Sequence, residues 1–213
     1  MFKHRTFFLI FSLFLTLSCG KKGDSGSPDS NLSAEQASDA PSATTPLEAS
    51  TFEVNIKMSG FTKDQEDKIL AAADLIKRIV ATNEFKSRVI NKKYGGKKTF
   101  VDNDGKTNRQ IYKRILAGNE KLGIIEKNNT MDLDLKAFTS ENNVIGYTYP
   151  NIQRIYLNKK FLNSFKANQV AANLFHEWLH KLGFKHSFDK TPERAHSVPY
   201  AIGYIIRNLG SNL

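Results

Sequence analysis

The order of elements legible in the sequence predicts an α+β domain. A half-buried strand pattern at residues 51–58 leads into one long amphipathic helix. A run of short strand patterns then fills residues 130–158, and two further helical stripes close the chain. The 213 residues are 40% hydrophobic and 11% aromatic, with one cysteine. That composition supplies the core of one globular domain with appendages and excludes collagen, coiled-coil and disulfide-scaffold classes.

Residues 1–18 open with Lys3, His4 and Arg5 and continue as an apolar run from Phe7 to Leu15, too short to span a bilayer comfortably. This is the build of a secretory signal peptide. Its end, Leu15-Thr16-Leu17-Ser18-Cys19, resembles the lipobox of bacterial lipoproteins, with Thr16 where that class usually has Leu. The resemblance implies lipidation of Cys19 after cleavage and a place in the bacterial cell envelope. Gly20 after the cysteine points, by the sorting rule of that class, to the outer membrane, with the face open. A cleaved signal with a free thiol and an uncleaved anchor are the alternatives, and both export the domain. Residues 19–50, rich in Ser, Ala, Pro, Asp and Thr, lack the apolar surface needed to offset the entropy of ordering. They are expected to form a disordered tether with a root-mean-square span of about 30 Å. The domain is residues 51–213, expected to be monomeric.

Within it, Thr51 to Met58 alternates as a strand does. Thr62 with Gln65 three residues on makes a capping box, and Ile69, Ala72, Ile76 and Val80 keep helical spacing, predicting a helix to about Ile90. Tyr94-Gly95-Gly96 breaks that pattern, and Asp102-Asn103-Asp104-Gly105 reads as a turn before a second helix at Asn108–Ala117. Calcium is disfavoured in that turn, because Thr107 and Lys113 stand where an EF-hand loop needs Gly and Glu. Val144–Tyr149 and Arg154–Asn158 read as short strands joined through Pro150-Asn151. Helices are expected over about Gln169–Leu182 and Val198–Leu209.

The chemistry is concentrated in His176-Glu177-Trp178-Leu179-His180-Lys181-Leu182-Gly183-Phe184-Lys185-His186, an HExxHxxGxxH pattern. Two histidines four residues apart on a helix lie on one face with Cβ atoms about 5–6 Å apart, a spacing that lets two imidazoles share one zinc ion. Glu177 stands about 100° round from His176, while Ala171, Phe175, Trp178 and Leu182 form a stripe for the core. Gly183 lets the chain leave the helix in a left-handed turn and return His186 as a third ligand. Three neutral nitrogens and an open position describe a catalytic rather than a structural zinc (Zn2+) site. Asp189 is the alternative third ligand.

The complete motif resembles that of the metzincin clan of zinc metallopeptidases. The resemblance implies a twisted mixed sheet, a long N-terminal helix, a zinc-binding helix and a C-terminal helix. It also implies that Val144–Tyr149 or Arg154–Asn158 includes the edge strand on which an extended peptide is laid. The activity implied is hydrolysis of peptide bonds in a protein or peptide, with Glu177 as general base on a zinc-activated water. The clan carries a methionine turn beneath the zinc. Here no methionine follows Met131, and Ser197-Val198-Pro199-Tyr200 resembles that turn with Pro199 near the methionine position. Tyr200 is accordingly read as a fifth ligand, as a donor to the oxyanion, or as ordinary helix packing. His196 is read as a surface or supporting residue.

Residues 51–213 hold 27 Lys plus Arg against 16 Asp plus Glu, a net charge of +11. Such a field favours anionic partners by steering. It leaves an alternative open, a non-catalytic, zinc-stabilised basic lipoprotein that binds anionic envelope polymers. Lys92-Lys93-Tyr94 and Lys97-Lys98 make a basic patch, but the interleaved aromatic and basic pattern of a single-strand binder is missing, so nucleic acid is not favoured. Charge alone suggests substrates with acidic residues.

Overall fold

A computed structural model of the chain describes residues 52–118, 120, 122 and 128–213. The leader over 1–18, the tether over 19–50 and Cys19 lie outside those residues. The described elements run in the order β1 (Glu53–Ser59), α1 (Lys63–Val80), α2 (Asn83–Ile90), α3 (Asn108–Ala117), β2 (Thr130–Phe138), β3 (Gly146–Thr148), β4 (Arg154–Asn158), α4 (Lys159–Ser164), α5 (Ala167–Lys181), a short 3-10 helix (Pro192–His196) and α6 (Val198–Leu209). This is a mixed α+β arrangement.

The sheet has the order β1-β2-β4-β3. β1, β2 and β4 are parallel, with Val54 opposite Met131 and Leu135 opposite Ile155, and β3 runs antiparallel to β4 with Tyr147 opposite Tyr156. Of the two strand patterns read as candidates for the edge, β3 lies at the edge and β4 lies inside. Among the described residues no strand pairs with the outer side of β3.

The expected single helix to Ile90 is two. Thr82 Oγ1 donates to the Ile79 carbonyl at 2.7 Å and accepts from Phe85 N at 3.0 Å, so one hydroxyl closes α1 and opens α2. Its apolar stripe nevertheless continues, because Phe85 and Val89 are as buried as Ile69, Ile76 and Ile79. The capping box read at Thr62 is present. A second one, Thr107 with Gln110, starts α3. α3 ends on Gly118 at φ 60°, where a Cβ would stand 2.1 Å from the Thr130 carbonyl oxygen, so only glycine admits the start of β2 so close.

Two short helices were not anticipated. α4 follows β4 without a loop, started by Asn158, whose Oδ1 accepts from Lys160 N while its Nδ2 donates to the Ser140 and Val144 carbonyls. The 3-10 helix begins at Pro192 after Thr191.

The core lies between the sheet and the helices. Met131, Leu133, Leu135, Ile155 and Leu157 from the sheet meet Ile69, Ile76 and Ile79 of α1, Phe175 and Trp178 of α5 and Leu182 just after it in one cluster. Trp178 packs edge-on to Phe52 with ring centroids 5.9 Å apart and tilted against Phe175 at 5.2 Å. α5 is more enclosed than its amphipathic stripe implies, since every residue from Val170 to Leu179 is buried. α1 covers one side and α6 another, with Gly203 of α6 lying against His176.

Candidate metal centre

His176 and His180 come from the last two turns of α5. Their ring centroids are 5.0 Å apart and their Nε2 atoms 3.3 Å apart. The helix then ends in the glycine turn that its sequence requires. Gly183 takes φ 93°, its N–H donates to the His180 carbonyl at 3.0 Å, and Phe184 N donates to the Leu179 carbonyl at 3.1 Å. Those two bonds are a Schellman motif, and they turn the chain back on the helix end. His186 arrives with its ring centroid 5.2 Å from that of His176 and 5.0 Å from that of His180. One ligand atom from each of the three residues lies within 4.8 Å of the others, so the group could hold a metal ion.

The surroundings set the rings for that task. His180 Nδ1 faces the Phe184 carbonyl at 2.8 Å, and His186 Nδ1 faces the Ser187 carbonyl at 2.9 Å. A carbonyl can only accept, so each proton sits on Nδ1 and each Nε2 keeps its lone pair. His186 Nε2 is buried without a hydrogen-bond partner, an acceptor that a cation would satisfy. Burial, reinforced by the neighbouring rings, holds His176 well below the usual imidazole range. Burial likewise pushes His180 down to about 3 and His186 down to about 4. Neutral rings are the ligating form. The chemistry of the donor set therefore fits a borderline-soft divalent ion such as zinc.

Glu177 is only 1% exposed. Burial pushes its carboxyl up to about 8, with Lys181 pulling the other way, and Oε2 has no hydrogen-bond partner. Tyr200 is brought to the cluster, its ring centroid 4.6 Å from that of His176 and 4.7 Å from that of His186. Its hydroxyl accepts from Arg194 Nη2, and burial pushes it up to about 12. The Pro199 backbone also bears on His176, so the segment resembling the methionine turn does lie against the histidines. Asp189 is exposed and outside the group, which leaves His186 as the third member. His196 is also outside, its ring tilted against that of Tyr94 with centroids 5.0 Å apart and its Nδ1 3.1 Å from Lys92 Nζ. In the acidic turn, Asp104 pairs with Lys106 at 2.6 Å.

Two residues near the cluster were not singled out from the sequence. Arg194 is buried in the 3-10 helix, donates from Nη1 to the Phe188 carbonyl at 3.2 Å as well as to Tyr200, and so holds the loop after His186 onto α6. Lys181, also buried, sends its ammonium to Thr148 Oγ1 and to the Tyr149 and Ile152 carbonyls, tying the end of α5 to the exit of β3. Its place four residues after Glu177 was the one signal available. Arg194 left none.

No family model matches the chain, and no curated protein or solved structure does either.

Proposed function

We propose that the chain is a zinc-dependent endopeptidase of metzincin-like design, exported and held at a bacterial envelope through Cys19. The observation that carries this reading is the convergence of three neutral imidazoles from an HExxHxxGxxH segment, with the buried carboxyl of Glu177 on the same helix turn. His176, His180 and His186 would hold the ion, which when bound supplies Lewis acidity and lowers the pKa of water to about 7. Burial keeps Glu177 protonated near neutral pH until a cation stands beside it. The charge of a bound ion would lower its pKa, and as a carboxylate Glu177 would accept the proton of the attacking water and return it to the leaving amine, a transfer that contributes about 10²–10⁴ in rate. Its buried, partnerless Oε2 suits that role, because a carboxyl already committed to a structural bond would have to release it first. Tyr200, whose hydroxyl accepts from Arg194, keeps its own proton to donate to the developing oxyanion. The open side of β3 would pair with an extended peptide and lead it past the histidines.

The test uses the full chain recovered from membranes of the producing bacterium, where its presence also tests the envelope address. Zinc content and cleavage of a mixed peptide library are measured beside Glu177→Gln. The expected result is one zinc per chain in both proteins, with cleavage at least 10²-fold slower in the variant. One zinc per chain without cleavage in either would favour the non-catalytic basic lipoprotein, and absence of zinc in both would overturn the ligand set.

A further inference from the structure

Asn173, Glu177 and Lys181 follow one another at four-residue spacing and so form a single buried stripe along α5. The stripe faces β3. At one end a Cβ on Gly146 would stand 2.9 Å from Asn173 Oδ1, so glycine is what lets the strand start this close to the helix. At the other end Lys181 Nζ donates to Thr148 Oγ1, to the Tyr149 carbonyl at 3.2 Å and to the Ile152 carbonyl at 2.5 Å. Glu177 stands midway between these two attachments.

An ammonium has three protons, and these three acceptors use all of them. All three acceptors are neutral and belong to one segment, 148–152, so the lysine is a clamp on that segment rather than half of an ion pair. The segment has little else to fix it. β3 is three residues long, pairs on one side only, and is followed at once by Pro150-Asn151. Thr148 passes the hold on to β4, its hydroxyl donating to the Arg154 carbonyl at 2.7 Å. Asn158 N donates to the Ile145 carbonyl at 2.9 Å, and the register then makes Tyr147 and Tyr156 the next bonded pair. The N–H and C=O of Gly146 and Thr148 accordingly turn away from β4, to the side left open. A peptide added to β3 would bond to those two residues, the same two that the helix stripe touches.

Resting on the peptidase reading above, we infer that Lys181 is a positioning residue for the substrate: it locks the exit of β3 onto the end of α5, and so holds the main chain of Thr148 ready to pair with an extended peptide beside His180 and Glu177. The lysine touches neither peptide nor ion. Without it the short strand is formed for only part of the time, and affinity falls by that fraction. Peptide binding restores the strand, so the bound complex reacts as before. The loss therefore falls on KM. A lysine that merely stabilised the fold or the histidines would, when removed, lower the active or zinc-loaded fraction and with it kcat.

The test is Lys181→Met in the full chain, which keeps a stem of similar length and removes the three donors. Binding of a fluorescein-labelled octapeptide pool of mixed sequence is read by fluorescence anisotropy on the zinc-loaded chain, with Glu177→Gln present in both proteins compared. KM and kcat are read without Glu177→Gln on one peptide cleaved from that pool, and zinc per chain is measured alongside. The expected result is binding about tenfold weaker, a matching rise in KM, kcat within about threefold of the parent and one zinc per chain. Lys181→Arg, which restores charge and donors, should recover part of the affinity. If Lys181→Met does not fold, Thr148→Val removes one of the three acceptors and should raise KM in the same sense by a smaller factor. Unchanged affinity, or a lowered kcat at unchanged KM, would overturn the assignment and leave the peptidase reading standing. A parent that binds the pool and cleaves none of it, with binding still weakened by Lys181→Met, upholds the clamp and refutes the peptidase reading.

Discussion

Glu120 shows how a single buried acid can be tested apart from the metal centre. Its Oε1 accepts from the indole N–H of Trp178 and from Asp132 N at 3.1 Å. Burial raises its pKa above 4.5, and the two donors oppose that without cancelling it. Between about 4.5 and its raised value the unfolded chain has lost this proton and the folded chain has kept it, so the folded state binds more protons and stability falls as pH rises through that window. Glu120→Gln keeps an oxygen for both donors and removes the charge. The variant should therefore gain on the parent as pH rises from 4.5 and then hold a constant margin. Urea unfolding of both proteins from pH 4 to 8 checks this, and a margin independent of pH would refute it. The same residue illustrates what the sequence hides. His176, Glu177, His180, Gly183 and His186 are legible because their geometry is one turn of helix plus one turn of chain. Lys181 has no such signature. A lysine late in a helix is ordinarily a solvated side chain, and its three acceptors lie 29 to 33 residues earlier in the chain. Arg194 likewise acquires its role only when the loop after His186 folds onto α6.

Elements were legible where their causes are local. β1, α3, α5 and α6 stand within two residues of the spans read from periodicity and caps. The break between α1 and α2 was missed because the apolar stripe runs through it, while a threonine hydroxyl, which leaves no mark on periodicity, decides the backbone. α4 is too short to show a period. The strand order β1-β2-β4-β3 was beyond reach for another reason, since alternation states which face of a strand is buried and nothing about its neighbour. The turn after α5 is where local sequence and site geometry meet, and it carries a sharp expectation. Gly183 holds φ 93°, a conformation that costs an L-residue about 1–3 kcal/mol. Gly183→Ala must either bear that strain or swing the chain, and His186 lies three residues beyond. His176 and His180, fixed within α5, are not displaced. Zinc affinity should consequently fall at least tenfold while helical content is kept, measured by competition against a chromophoric chelator and by circular dichroism. Unchanged affinity would mean that His186 reaches the cluster by another route, or is not a ligand.

At the scale of the whole molecule the question is whether the metal centre builds the fold or is built by it. In small zinc modules the ion is the core, and the metal-free chain is unfolded. Here the candidate ligands sit at one end of α5, while the main apolar cluster runs from Phe52 through α1, α2, α3, the sheet, α5 and α6, and only Trp178, Leu179, Leu182 and Phe184 of it come from between the ligands. No helix among the described residues is long and apolar enough to cross a membrane. The three candidate ligands also lie within eleven residues of one another, so an ion bridging them would close a short loop that the Schellman turn already closes. Its contribution to stability should then come almost wholly from mass action on the native state. With free zinc near a thousand times its dissociation constant that amounts to about 4 kcal/mol. For a domain of this size the matching rise in melting temperature is about 10 °C. The expected result is a cooperative thermal transition after exhaustive chelation, shifted up by about that amount when zinc is restored. Calorimetry with and without the ion decides it. A chain already unfolded at 25 °C without zinc would move the ion from the site into the foundation of the fold. The proposed open coordination position would then lose its rationale, since structural zinc sites are closed.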